Sequence, residues 1–205
     1  MPATCGASPL SEADCLDPRC LDDPSRLYPA PPPARPDVWE TIDEADGVEV
    51  EALGFPSAAP FGIASNDRVV ARFYRPARRS PVFSLLVLHG IWRQDWEFED
   101  RLCRSLARHR VSSALVSLPF HWERAAEGTP SGAYFLSGDP LWSSAAFRQA
   151  VVDARSVLGL LRGRGIPVGV LGFSLGGIIA HMLMAIEPLD FGGSAFAGGE
   201  TAGIV

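Results

Sequence analysis

The run Ile166-Pro167-Val168-Gly169-Val170-Leu171-Gly172-Phe173 ends abruptly in Ser174-Leu175-Gly176-Gly177, and an apolar segment from Ile178 to Ile186 follows at once. A short β-branched stretch reads as a buried strand, and the longer apolar stretch after it reads as a helix. The turn between them must be sharp, and a serine stands at its apex. Gly172 and Gly176 flank that serine; without a Cβ they let strand and helix approach closely. Such a turn exposes the serine Oγ, while the first turn of the helix aims N–H groups and partial positive charge at it. Acyl-transfer chemistry at Ser174, through a nucleophile elbow, is the expectation. A bare Gly-x-Ser-x-Gly is weak evidence; the strand before it and the helix after it give it weight.

The rest of the chain alternates in the same way. Residues 1–45 read as a disordered, proline-rich tail, with Pro29 to Pro36 its densest part. Residues 46–205 read as one incomplete domain. Val48 to Leu53 alternates apolar and acidic residues, Asn66-Asp67 is a turn, and Arg68 to Tyr74 is a second strand, the two forming an antiparallel pair at a sheet edge. Arg78-Arg79 fits a solvated loop. Val82 to Leu88 is almost continuously apolar, as a strand buried on both faces should be. Asp95 caps a helix with a buried stripe of Phe98, Leu102 and Leu106. Val111 to Leu118 is another strand. Residues 119–142 form a long aromatic connection, a candidate lid or acyl pocket. Ser143 or Ser144 caps a helix that buries Phe147, Val151, Ala154, Leu158 and Leu161 and ends at Gly163 and Gly165. The helix from Leu175 to Ile186 is apolar nearly all round and should be covered, with His181 a packed core residue. Phe191 to Ala197 is the last strand. Alternating strands and helices give an α/β, doubly wound, mostly parallel sheet with helices on both faces.

Composition narrows the partners. The 205 residues carry a net charge of −6, which disfavours nucleic acid and anionic membranes. Val168 to Ile186 has no charged residue, yet its glycines and serine suit strand, turn and buried helix better than a membrane span. Cys5, Cys15, Cys20 and Cys103 form no C-x-x-C pair and have no histidine at zinc spacing. Free thiols, a cytoplasmic location, and neither metal nor cofactor are expected. Exclusion of a phosphate-cradling nucleotide domain rests on Gly172 to Gly177, which lacks the G-x-G-x-x-G order.

The strand Ser84 to Leu88 runs into His89-Gly90-Ile91-Trp92, 85 residues before Ser174. Here the chain resembles the α/β-hydrolase superfamily, over about residues 46 to 205. Gly-Phe-Ser-Leu-Gly-Gly and the final Gly-Glu-Thr-Ala-Gly-Ile-Val are similar to its poorly characterised hydrolase-domain members rather than to lipases with a His-Gly-Gly-Gly loop. The resemblance implies Ser174 as nucleophile, with Leu175 and Ile91 as oxyanion N–H donors and Trp92 as the alternate donor. It implies hydrolysis of an ester, amide or related acyl bond in a small-molecule substrate. His89 is expected to support the oxyanion loop, and Trp92, His121 and Trp122 to touch substrate. The family's order is serine, acid, histidine, yet no histidine follows His181. The expectation is therefore a hydrolase fold with its last strands missing, Glu200 as the candidate acid, little or no activity in this chain alone, and self-association through an exposed sheet edge. The alternative is a non-catalytic binding or interaction protein of the same fold.

Overall fold

The computed structural model describes residues 8–15 and 17–195. Among these residues seven strands form one sheet in the order β1-β2-β3-β5-β4-β6-β7: β1 Val38–Ala45, β2 Val48–Pro56, β3 Arg68–Pro76, β4 Phe83–Leu88, β5 Val111–Val116, β6 Val168–Phe173 and β7 Phe191–Ala195. The first three strands pair antiparallel, and β3 is antiparallel to β5; β5, β4, β6 and β7 run parallel. Among the described residues five α-helices accompany them: α1 Glu12–Cys15, α2 Arg19–Asp22, α3 Glu97–Arg108, α4 Pro140–Arg162 and α5 Leu175–Ile186.

The period-two pleat splits β4 between two cores. Leu85 and Val87 join Val48, Val50, Tyr74, Leu115 and Cys103 on the α3 side. Leu86 and Leu88 join Ala114, Val116, Val168 and Val170 beneath α4 and α5. Helices on both faces and a parallel centre match the architecture expected. Among the described residues, no helix is long and apolar enough to cross a membrane.

The differences are local. The sheet begins at Val38, inside the stretch read as tail, because Val38 to Ala45 pairs along nearly all of β2. Further upstream, Leu10 enters the core, and Arg148 and Arg155 of α4 donate to the carbonyls of Leu27 and Tyr28. In α3 the buried stripe is Glu99, Cys103 and Ala107, while Phe98 stays 47% exposed. The helix is rotated because Arg93 ion-pairs with Glu99, whose carboxylate would otherwise be buried unpaired. The α4 cap is Asp139, accepting from the Leu141 N–H with Pro140 in the first turn, rather than Ser143 or Ser144. Phe147 is only half-buried; Val151, Ala154, Leu158 and Leu161 are buried as expected. α5 is covered along Leu175, Gly176, Ile179, Ala180 and Leu183, but Ile178, His181 and Ala185 form an exposed stripe. His181 is thus not a core residue.

Candidate active site

The sheet order reverses around β4: the chain passes from β4 to β5 on one side, then returns across it to β6 on the other. The crevice at the carboxyl ends of strands at such a reversal is where open α/β sheets bind ligands. Here it lies between β4 and β6, whose last paired residues are Leu88 and Gly172. The segment after β4 is His89 to Trp92, and the residue after β6 is Ser174.

Ser174 has φ 49° and ψ −113°, a conformation a side chain rarely tolerates. Two glycines make it feasible. A Cβ on Gly172 would overlap the Gly176 carbonyl, and one on Gly176 would overlap the Leu88 carbonyl. Removing both side chains lets α5 start directly against β4. The Gly176 N–H then donates to the His89 carbonyl at 3.0 Å. Gly90 abuts the serine: a Cβ there would stand 3.6 Å from the Ser174 Cβ. The 89–92 segment and the serine are therefore in contact, with Ser174 half-buried between them.

Among the described residues, neither the Leu175 nor the Ile91 N–H donates to an acceptor in a turn or loop. Leu175 opens α5, so its N–H points out of a helix N-terminus. Trp92, the alternate donor, is closed off: its N–H donates to His121 Nε2 at 3.2 Å. Trp92 itself has φ 58° and its side chain is 64% exposed.

His121 is buried, with Nδ1 donating to the Pro119 carbonyl at 2.8 Å. Both ring nitrogens are thereby committed to backbone. No face of His121 is open to a substrate, contrary to the contact expected. Gly132 closes the arrangement from outside: at φ +82°, a Cβ would lie 2.6 Å from His121 Nε2 and 2.9 Å from the Trp92 nitrogen. His89 is committed in the same way, Nδ1 donating to the Gly90 carbonyl at 2.7 Å and Nε2 accepting from Leu118 N–H at 3.0 Å. The two rings meet edge to face at 4.8 Å. Desolvation holds the pKa of His89 well below its ordinary value, with the His121 charge adding to the effect, and desolvation takes that of His121 to about 4. Both are therefore neutral Nδ1–H tautomers that brace the loop from behind. Glu200 lies outside the described residues.

The aromatic connection is mostly core. Phe120, Phe135 and Trp142 are buried. Trp122 is half-buried, stacked on Trp96 at 4.0 Å and tilted on His89 at 3.9 Å. Beneath it runs a network the sequence reading missed. Arg124, buried, pairs with buried Asp153 of α4 at 2.7 Å and donates to the carbonyls of Asn66 and Ser117. Asp153 also accepts from Ser57 Oγ at 2.6 Å. Asn66 donates to Gln149 Oε1 at 2.7 Å and accepts from the Phe120 N–H at 2.9 Å. The available signal was Gln149 and Asp153, four apart on an otherwise apolar face of a helix.

No family model matches the chain, and no curated protein matches it. Solved structures do. A cold-adapted esterase from an Arctic intertidal metagenomic library aligns at TM-score 0.55 and 17% identity, over 72% of this chain and 60% of that one. Acetyl xylan esterase 1 from a Thermoanaerobacterium species aligns at 0.54 and 20% identity, over 90% and 57%. A proposed acetyl xylan esterase from Bacteroides fragilis aligns at 0.61 and 15% identity, over 80% and 48%. This chain thus spans between 48% and 60% of the length of these structures. At such identities the likeness is one of fold, and the fold is α/β-hydrolase-like.

Proposed function

We propose that the chain is a serine ester hydrolase with Ser174 as its nucleophile. Ser174 Oγ attacks the acyl carbon, and the carbonyl oxygen gains negative charge. The N–H groups of Leu175 and Ile91 receive that oxyanion, helped by the N-terminus of α5. The alcohol leaves, an acyl-serine remains, and water releases the acid. One observation carries this reading. Of the six described non-glycine residues with positive φ, four, Trp92, Phe120, Trp122 and Ser174, stand in the segments that leave the carboxyl ends of β4, β5 and β6, while Asp46 turns between β1 and β2 and Arg110 precedes β5. Backbone strain gathered in adjacent segments in this way is a feature of reactive sites. The esterases among the structural neighbours support an acyl ester as the bond broken.

No described histidine is placed to take the serine proton. The Nε2 lone pairs of His89 and His121 are filled. His109 follows α3 at the opposite end of the sheet. His181 lies about two turns, roughly 10 Å, along α5. Without a positioned base, the rate should sit on the order of 10⁶-fold below a complete triad. The test is therefore a slow one: prolonged reaction with a fluorophosphonate probe, read by mass spectrometry. A single adduct on Ser174, absent from Ser174→Ala, is expected. Labelling that survives the substitution overturns the assignment of Ser174, and no labelling at all overturns the reading and leaves a non-catalytic binding protein.

A further inference from the structure

At the end of the sheet opposite Ser174, the close of β3, the loop entering β4 and the turn after α4 line an open surface cavity of about 440 Å³. Arg75, Arg78, Arg79 and Arg164 line it, with Ser80 beside them. Such a concentration of cation is unusual in a chain whose net charge is −6. Arginines elsewhere generally find a carboxylate within 4 Å: Arg68 with Asp37, Arg93 with Glu99, Arg104 with Asp43 and Asp100, Arg155 and Arg162 with Glu187. In the cavity only Arg75 does, on Glu49 and, at 3.9 Å, Glu51. Among the described residues, Arg78, Arg79 and Arg164 have no carboxylate partner.

Two further observations show that the spare donors are organised. The Arg164 guanidinium lies 3.8 Å over the Phe73 ring and 5.4 Å from that of Trp39, so its plane is held and its edge is left to donate. Desolvation, partly offset by the charge of Glu51, lowers its pKa, as expected of a cation without a close counter-ion. The loop backbone is equally open. Ala77 N–H donates to the Gly47 carbonyl and Val82 N–H to the Arg110 carbonyl, whereas the N–H groups of Arg78, Arg79 and Ser80 donate to no described acceptor. Guanidinium forks and consecutive free N–H groups around a concavity are the donor set that recognises a phosphate-like oxyanion.

We infer that this cavity is a binding site for a small phosphorylated ligand, separate from the Ser174 crevice. Its volume suits a small molecule. The guanidiniums of Arg79 and Arg164 grip the phosphoryl oxygens, Arg78 and the 78–80 backbone close over them, and Glu49 fixes Arg75 at the rim. Arg78 and Arg79 stand in an exposed loop, as expected, and only the fold brings Arg164, from the turn after α4, beside them.

The test is calorimetric titration of the chain with inorganic pyrophosphate at constant ionic strength. Saturable one-to-one binding with a Kd below about 1 mM is expected. R78Q/R79Q should weaken it at least tenfold and R164Q should abolish it, while R19Q/R101Q, which removes equal charge at exposed positions, should leave it unchanged. S174A should bind as the parent does, which keeps this result independent of the fate of the hydrolase reading. Absence of saturable binding, or equal weakening in the R19Q/R101Q control, would overturn the proposal.

Discussion

At Gly176 the first turn of α5 passes so close to β4 that a single methyl group has nowhere to go except into the Leu88 carbonyl. Gly176→Ala must push the helix away from the strand, and a loss of about 3 kcal/mol in urea denaturation is expected, the size of a severe overpacking. Gly159→Ala, on α4 with open space around its Cβ position, should be neutral or slightly stabilising. The glycines of the elbow were legible from the motif; that His89 and His121 work as a pair was not. Nothing in the sequence says that residues 32 apart brace one loop from behind. Their burial has a consequence for pH. In the native state His121 resists protonation down to about 4, whereas an unfolded histidine takes its proton near 6.5. The unfolded state then binds more protons as pH falls through that window. Stability is complete above about pH 6.5 and drains away towards pH 4, by on the order of 3 kcal/mol at roughly 1.4 kcal/mol per pKa unit. Urea melts at pH 7 and pH 4.5 should show a smaller acid loss in His121→Gln than in the parent; an identical loss would mean His121 titrates normally.

Among the elements, α4 shows what periodicity can and cannot tell. Val151, Ala154, Leu158 and Leu161 were recognisable as its buried side, and they pack as expected. Gln149 and Asp153 are just as buried, and their spacing of four on an apolar face was the one hint that they turn inward. Their partners come from the turn between β2 and β3 and from the connection after β5, and a pattern within one helix cannot name them. Burial raises the pKa of Asp153 even though Arg124 and Ser57 stabilise its charge. Such a pair is worth little against an apolar replacement but is costly to break on one side. Asp153→Ala should therefore destabilise by about 3–5 kcal/mol, since it strands a buried guanidinium, whereas R124M/D153L should recover most of that loss. Equal losses in the two variants, measured by denaturation, would show that the ion pair itself is what the fold needs. The rotation of α3 has the same origin. Counting apolar residues turns Phe98 inward, but the Arg93–Glu99 pair fixes the helix by a different side and leaves Phe98 edge-on to Phe173 at 5.8 Å.

For the molecule as a whole, the segment before the sheet takes part in the core. Leu10 is 6% exposed, and α4 reaches across to Leu27 and Tyr28 through Arg148 and Arg155. Leu10→Ala should cost about 2 kcal/mol, the low end for a buried leucine, and a change below about 0.5 kcal/mol would mean the segment does not pack in solution. Low apolar content made this stretch read as a tail, because a few anchoring contacts spread over many prolines leave no period to detect. By itself the sequence determined the alternation of strand and helix, the parallel centre of the sheet and the sharp turn at Ser174, since these follow from local steric rules and the spacing of apolar residues. Only the tertiary structure decided what surrounds that turn. The reversal of strand order at β4 lays the 89–92 segment against Ser174, takes the Trp92 N–H away to His121, and gathers Arg75, Arg78, Arg79 and Arg164 at the other end. Those arrangements depend on contacts between residues distant in the chain, and such contacts leave no local signature.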